Sequence, residues 1–277
     1  MPSQSELIGN HPSAPHQFGI WLTCNDVGVT ADKCHRSLTG IIPTDNPSLI
    51  EWFARLLIKH HYSDFALNRL RDKFNELGFP LYADQQRRLP RTDNTKKGNG
   101  AEILLAEYIQ SSLNIELLSV KRLRYNPNVD QAMKGDDNLM ANIINENGQE
   151  RVRLYLGEAK FRATPAKTVI DDIVKSLAKE KKPLSYSYLI DKLGENPETV
   201  ELANKLDDYL IDEIKGNDDL IYTGFLISNE DTFNKVEDNL RSDNPSFVFI
   251  SVAIDSPDIL IENGFVKAEE LILDGQI

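Results

Sequence analysis

Two runs near the end of the chain, LIYTGFLIS (220–228) and SFVFISVAID (246–255), are dense in β-branched and aromatic residues and read as strands separated by a short helix around 231–240. Upstream, GNGAEILLAEYIQSSL predicts a helix over about 100–113, and IELLSVKRLRY predicts a strand. NLMANIINENGQERVRLYLGEAKF reads as a two-stranded hairpin turning at 146–148. Thr164 then caps a helix with Pro165 at its first position, running to about Lys181. An acidic helical insert over about 184–216 follows, with Asn196 and Pro197 opening its second helix. The order from residue 100 is helix, three strands, helix, acidic insert, strand, helix, strand. That order predicts an α/β (α+β) chain whose mixed central sheet carries helices on its faces.

Three regions are expected. Residues 1–16 read as a flexible leader, 17–95 as a strand (HQFGIWLTCNDVGV) with a helical layer, and 96–277 as the core with its acidic insert. In the helical layer, Ser48 and Glu51 form a capping-box pattern, and Leu49, Trp52, Phe53, Leu56 and Leu57 keep helical spacing. A second helix over about 63–77 is expected to stop at Gly78, before Pro80. No stretch approaches the roughly 18 consecutive apolar residues of a membrane span, and the N-terminal residues lack the basic and apolar segments of a secretory signal. Cys24 and Cys34 give no disulfide framework, so a cytoplasmic protein is the expectation.

A net charge of −12 argues at first against a nucleic-acid partner. The charge is unevenly spread, however. From residue 190 onward 6 Lys/Arg face 21 Asp/Glu, a net of −15, while residues 1–189 hold 25 against 22, a net of +3. Two basic clusters, Arg87, Arg88, Arg91, Lys96, Lys97 and then Lys121, Arg122, Arg124, are candidate contacts to a phosphate backbone. A solvated loop and strand edge would look the same.

LYLGEAKFRA (154–163) is the chemically unusual stretch. Residues two apart in a strand share a face, so Glu158 and Lys160 point the same way as Leu154 and Leu156. A strand-end salt bridge is one explanation. Two further acidic positions suggest another. Asp136 and Asp137, in KGDDNL, precede the strand that pairs with this one, although turn chemistry after Gly135 also accounts for them. Glu102 lies on the apolar side of its helix with Leu105, Ala106 and Ile109, whereas Glu107 is about 140° away and is expected to face solvent. Gathered carboxylates repel one another unless a cation neutralises them. An oxygen-only donor set indicates Mg2+ or Mn2+, which with a neighbouring lysine supplies the parts for phosphodiester hydrolysis.

Glu102, Asp137 and Glu158-Ala159-Lys160 resemble the helix glutamate, strand aspartate and (D/E)-x-K strand of the PD-(D/E)xK nuclease superfamily. Gly135 and Asp136 stand where the motif has its proline, so Asp136 is the alternative ligand. The wider set, GNGAEILLAEYI, KGDDNL and LYLGEAKFRAT behind an N-terminal helical layer, resembles the HamA effector family of the Hachiman anti-phage system over roughly residues 15–255. The resemblance implies a restriction-endonuclease-like fold and a DNA-degrading nuclease restrained by a partner helicase, HamB. It implies Asp137, Glu158 and Glu102 as metal ligands, with the Ala159 carbonyl assisting and Lys160 positioning the attacking water. An RNA-cleaving nuclease of the same fold, or a non-catalytic binding subunit, remains the alternative.

Overall fold

The computed structural model describes residues 1–77, 85–146 and 148–274. Its centre is a seven-stranded mixed sheet of β1 (Leu22–Asp26), β2 (His35–Gly40), β3 (Leu118–Ser119), β4 (Asn138–Glu146), β5 (Gln149–Phe161), β6 (Leu220–Ser228) and β7 (Phe247–Ala253), in the order β1-β2-β7-β6-β5-β4-β3. The four middle strands, β2, β7, β6 and β5, run parallel; the outer pairs are antiparallel. Every residue of β6 and β7 is buried, as expected of central parallel strands covered on both faces.

One face is covered by α1 (Gln4–Ile8), α2 (Gln17–Trp21), α3 (Pro47–His61), α5 (Asp93–Leu113) and α11 (Pro257–Leu273), which pack Phe18, Phe53, Leu105 and Phe265 over Tyr155, Phe225 and Ile250. α4 (Asp64–Leu77) extends this layer. The other face carries α6 (Lys167–Ser176), α7 (Tyr186–Gly194), α8 (Val200–Asp207), α9 (Ile211–Gly216) and α10 (Thr232–Asn239), with Ile170, Leu206 and Val236 over Leu154, Leu156 and Phe249. This is the mixed sheet with flanking helices that the element order predicts, and it is restriction-endonuclease-like in architecture.

Several local expectations are corrected. The region read as a flexible leader holds α1, capped by a Ser3–Glu6 box, and buries Leu7 and Ile8 in the core. HQFGIWLTCNDVGV is not one strand: Phe18 and Trp21, three apart, bury together on the short α2, and only Leu22–Asp26 extends. β2 and the 17-residue α11 are elements the sequence reading lacks. α3 is capped by Asn46, whose Oδ1 accepts from the Ser48 and Leu49 N–H groups, with Pro47 at its first position, so the Ser48–Glu51 box is not used. α4 runs to Leu77; the expected stop at Gly78 and Pro80 lies outside the described residues.

α5 begins seven residues early, at Asp93, which places Lys96 and Lys97 on a helix rather than a loop. IELLSVKRLRY pairs only through Leu118–Ser119, then tightens into a 3-10 turn (Arg122–Tyr125) that buries Leu123. The β4–β5 hairpin is as predicted, Glu146 pairing with Gln149; Asn147 within its turn lies outside the described residues. α6 starts at Lys167, after Thr164 and Pro165, and stops at Ser176, where the Leu177 carbonyl accepts from Asn244 Nδ2. Asn196 and Pro197 sit in the α7–α8 turn; Asn196 Oδ1 accepts from the Glu198 N–H.

Candidate active site

The site sits where the β4–β5 ladder ends. Asn138 is the first residue of β4 and pairs with Gly157 at the open end of the ladder, so Asp137 falls beside Glu158 just beyond it. Asp137 Oδ2 accepts from the Ala159 N–H at 3.0 Å. In a strand the N–H and C=O of one residue point to the same side, so the Ala159 carbonyl also faces the gap that Asp137 fills. Lys160 Nζ donates to Glu158 Oε1 across their shared face. Asp136 is held by different partners. It is buried, accepts from the Ser185 N–H at 2.9 Å and lies 3.5 Å from Lys181 Nζ, so it ties the loop to the segment before α7.

Glu102 is buried, as its helical position predicts. α5, however, covers the face opposite to Glu158 and Lys160. Glu102 reaches the strand end through Arg122, which lies on the 3-10 turn. Arg122 Nε and Nη2 donate to the two oxygens of Glu102, each at 2.7 Å, and Nη2 also donates to Asp137 Oδ1 at 3.2 Å. α5 is fixed against the hairpin by Asn138 Nδ2, which donates to the Glu102 carbonyl at 2.8 Å. Glu107 is not a solvent-facing partner of this group: its carboxylate is held by Lys59 and His60.

Burial, with repulsion between the carboxylates as a smaller contribution, raises the pKa of two acids of the cluster. Burial pushes the Glu102 carboxyl up to about 7, against the pull of Arg122 and with added repulsion from Asp137 and Glu158. Glu158 is also raised, first by burial and then by Asp137, with Lys160 and Lys181 opposing. Burial would lower Lys160, yet Glu158 and Asp137 raise it, so it stays a cation.

Among the described residues no three His, Cys, Asp or Glu side chains converge closely enough to hold a metal ion. The donors that the hairpin end brings near one another are Asp137 and Glu158, whose charges interact, with the Ala159 carbonyl on the side of Asp137. That set fits a hard divalent cation, because Mg2+ takes one or two carboxylates and keeps several waters. A cleft of about 770 Å3 adjoins the cluster, lined by Lys97, Glu102, Arg122, Asp137, Lys160 and Arg162.

The proposed DNA-contacting residues do not form one open stripe. Lys97 and Arg122 line the cleft, but Lys97 Nζ is 2.5 Å from Asp258 and Arg122 is engaged as above. Arg87 pairs with Glu269, Arg88 donates to the Arg124 carbonyl, and Arg124 donates to the Lys59 carbonyl. The Arg91 N–H binds Asp130, and Lys96 lies 5.9 Å from the Phe265 ring centre. Lys121 lines a different cavity with Lys59 and His60. The role of Arg122 in the acidic cluster is what sequence reasoning missed. Its setting in a β-like run of basic residues carried no sign that a 3-10 turn would swing it inward.

Fold and site together define a class: a restriction-endonuclease-like α/β protein with an acid-and-lysine cluster at the end of its central hairpin. A family model described as HamA matches residues 15–268. The Hachiman protein HamA of Bacillus cereus is 34% identical over 280 residues, spanning 99% of this chain and 98% of its own. The chain belongs to the HamA family, a component of the Hachiman anti-phage defence system. Among the described residues no helix is long and apolar enough to cross a membrane.

Proposed function

We propose that this chain is a metal-dependent nuclease that hydrolyses DNA phosphodiester bonds as an effector of anti-phage immunity, restrained by a HamB-like helicase. The observation that carries the reading is the Ala159 N–H to Asp137 contact, which brings Asp137 to the strand end that bears Glu158 and Lys160, with Asp137 and Lys160 lining a cleft of about 770 Å3. Asp137 and Glu158, with the Ala159 carbonyl, would hold Mg2+ or Mn2+. Such an ion, when bound, polarises a phosphate oxygen and lowers the pKa of a coordinated water. Lys160 remains protonated, so it orients the attacking water and offsets the charge that develops on the phosphate. Arg162 and Lys97 on the cleft wall suit a phosphate backbone without reading bases. Restraint by a helicase rests on the family resemblance and on the acidic C-terminal third, a surface suited to a basic partner.

The test is incubation of the purified chain with supercoiled plasmid, or with RNA of matched length, in Mg2+ or Mn2+. Expected are DNA cleavage, its loss in EDTA, and a fall of about 10²-fold or more in Lys160→Ala with unchanged circular dichroism. Undiminished cleavage in EDTA or in Lys160→Ala overturns the mechanism, and preferential cleavage of RNA replaces the substrate. Co-expression with a HamB-like helicase is expected to give a co-eluting complex and to relieve toxicity of the active chain.

A further inference from the structure

We propose that Arg122 acts as a built-in counter-cation that competes with the divalent ion for Asp137, and so sets how tightly the site binds metal. This rests on the reading of Asp137 and Glu158 as metal-binding residues. Arg122 makes three charge-assisted hydrogen bonds, two to Glu102 and one to Asp137, and its side chain is only 13% exposed. The guanidinium therefore occupies the place between Glu102 and Asp137 that a cation would take in a three-carboxylate site.

The backbone that carries it is fixed. Leu123 is buried, and Arg124 Nη2 donates to the Lys59 carbonyl at 2.8 Å, pinning the 3-10 turn against the end of α3. The two contacts are unequal. The pair with Glu102 is bidentate at 2.7 Å, whereas Asp137 receives one longer bond at 3.2 Å. Glu102 thus acts as the anchor that holds Arg122 largely away from Asp137, and Asp137 is the ligand shared between arginine and metal.

This arrangement makes opposite predictions for the two partners. Removing the arginine returns a full negative charge to Asp137 and frees Glu102, so the cation binds more tightly. Removing the Glu102 charge releases the guanidinium to pair with Asp137 in full, so the cation binds more weakly. A purely structural role for the pair would move both variants the same way, through loss of local order.

The experiment is calorimetric titration of the full chain with Mn2+ alone, without nucleic acid, supported by Mn2+-dependent thermal shift. Arg122→Gln is expected to bind Mn2+ about tenfold more tightly than wild type, and Glu102→Gln about tenfold more weakly. Because Arg122→Gln leaves a buried carboxylate without its partner, the double variant Glu102→Gln/Arg122→Gln, which buries no unpaired charge, is measured beside it. It is expected to bind more tightly than Glu102→Gln alone. Weaker binding in Arg122→Gln, or no gain in the double variant over Glu102→Gln, overturns the proposal. If wild type binds no Mn2+ but the arginine variants do, the counter-cation stands and the resting metal site does not. If no variant binds, both readings fall.

Discussion

At Gly157, one residue before Glu158, a side chain of α5 packs directly on the strand backbone, and replacing the glycine with alanine measures how tightly that joint is closed. A Cβ there would lie 2.7 Å from Leu105 Cδ2, 3.1 Å from Asn138 Cβ and 3.2 Å from Thr223 Oγ1. All three are buried or part-buried partners from different elements, so no single rotamer change makes room. Overpacking of this kind costs roughly 1–3 kcal/mol, and the lower entropy of the unfolded alanine chain returns about 0.4–1 kcal/mol. The net is a loss of about 1–2 kcal/mol, or a Tm lowered by roughly 2–8 °C for a chain of this size. Thermal unfolding followed by circular dichroism reads it. The added methyl also presses on α5 one turn from Glu102, so Leu105→Ala in the same chain should relieve part of the strain. The double variant is expected to be more stable than the sum of the singles by about 1 kcal/mol. A Gly157→Ala protein as stable as wild type, or strict additivity with Leu105→Ala, would refute the close-packing argument.

Two further outcomes follow from buried ionisable groups. His61 is fully enclosed; its Nδ1–H donates to the Leu57 carbonyl and its Nε2 accepts from Asn99, so both nitrogens serve the neutral ring. Burial lowers its pKa to about 4. The unfolded chain therefore takes up a proton first on acidification, and stability is lost as pH falls from about 6.5 through 4. This amounts to about 3 kcal/mol that His61→Gln should remove from the wild-type pH slope in urea titrations; equal slopes would contradict it. Asp219 is buried and accepts from both Arg151 and Arg153. Asp219→Ala is expected to cost about 2–4 kcal/mol, the partly exposed arginines keeping it below the fully buried range, and a loss under 1 kcal/mol in denaturant melts would show the pairs to be dispensable.

The hairpin and the two apolar strands were legible because their signal is local. Alternation placed Glu158 and Lys160 together, and the turn brought Asp137 beside them. The helical wheel of the expected 100–113 helix likewise pointed Glu102 inward, where it is buried. β2 was hidden because HRSLTG carries a buried Arg36, which looks polar until Asp26 is seen beside it at 2.6 Å. α2 was hidden by its strand-like composition, and the Arg122 clamp by tertiary packing that turns a basic strand into a 3-10 turn. The contact of Asp136 with Ser185, 49 residues away, is likewise something no local pattern encodes.

The place of β7 in the sheet has a consequence for synthesis. β7 lies between β2 and β6, with His35 opposite Phe249. The hairpin bearing the acid-and-lysine cluster emerges from the ribosome well before β7 does. At roughly 5–20 residues per second, β2 waits on the order of 10–40 seconds for its neighbour. During that interval β2 is an exposed edge, the kind of surface that recruits other strands. Chains stalled before residue 247 should therefore be protease-sensitive between 22 and 40 while the β4–β5 region is already protected, a pattern that limited proteolysis of arrested ribosome complexes would reveal.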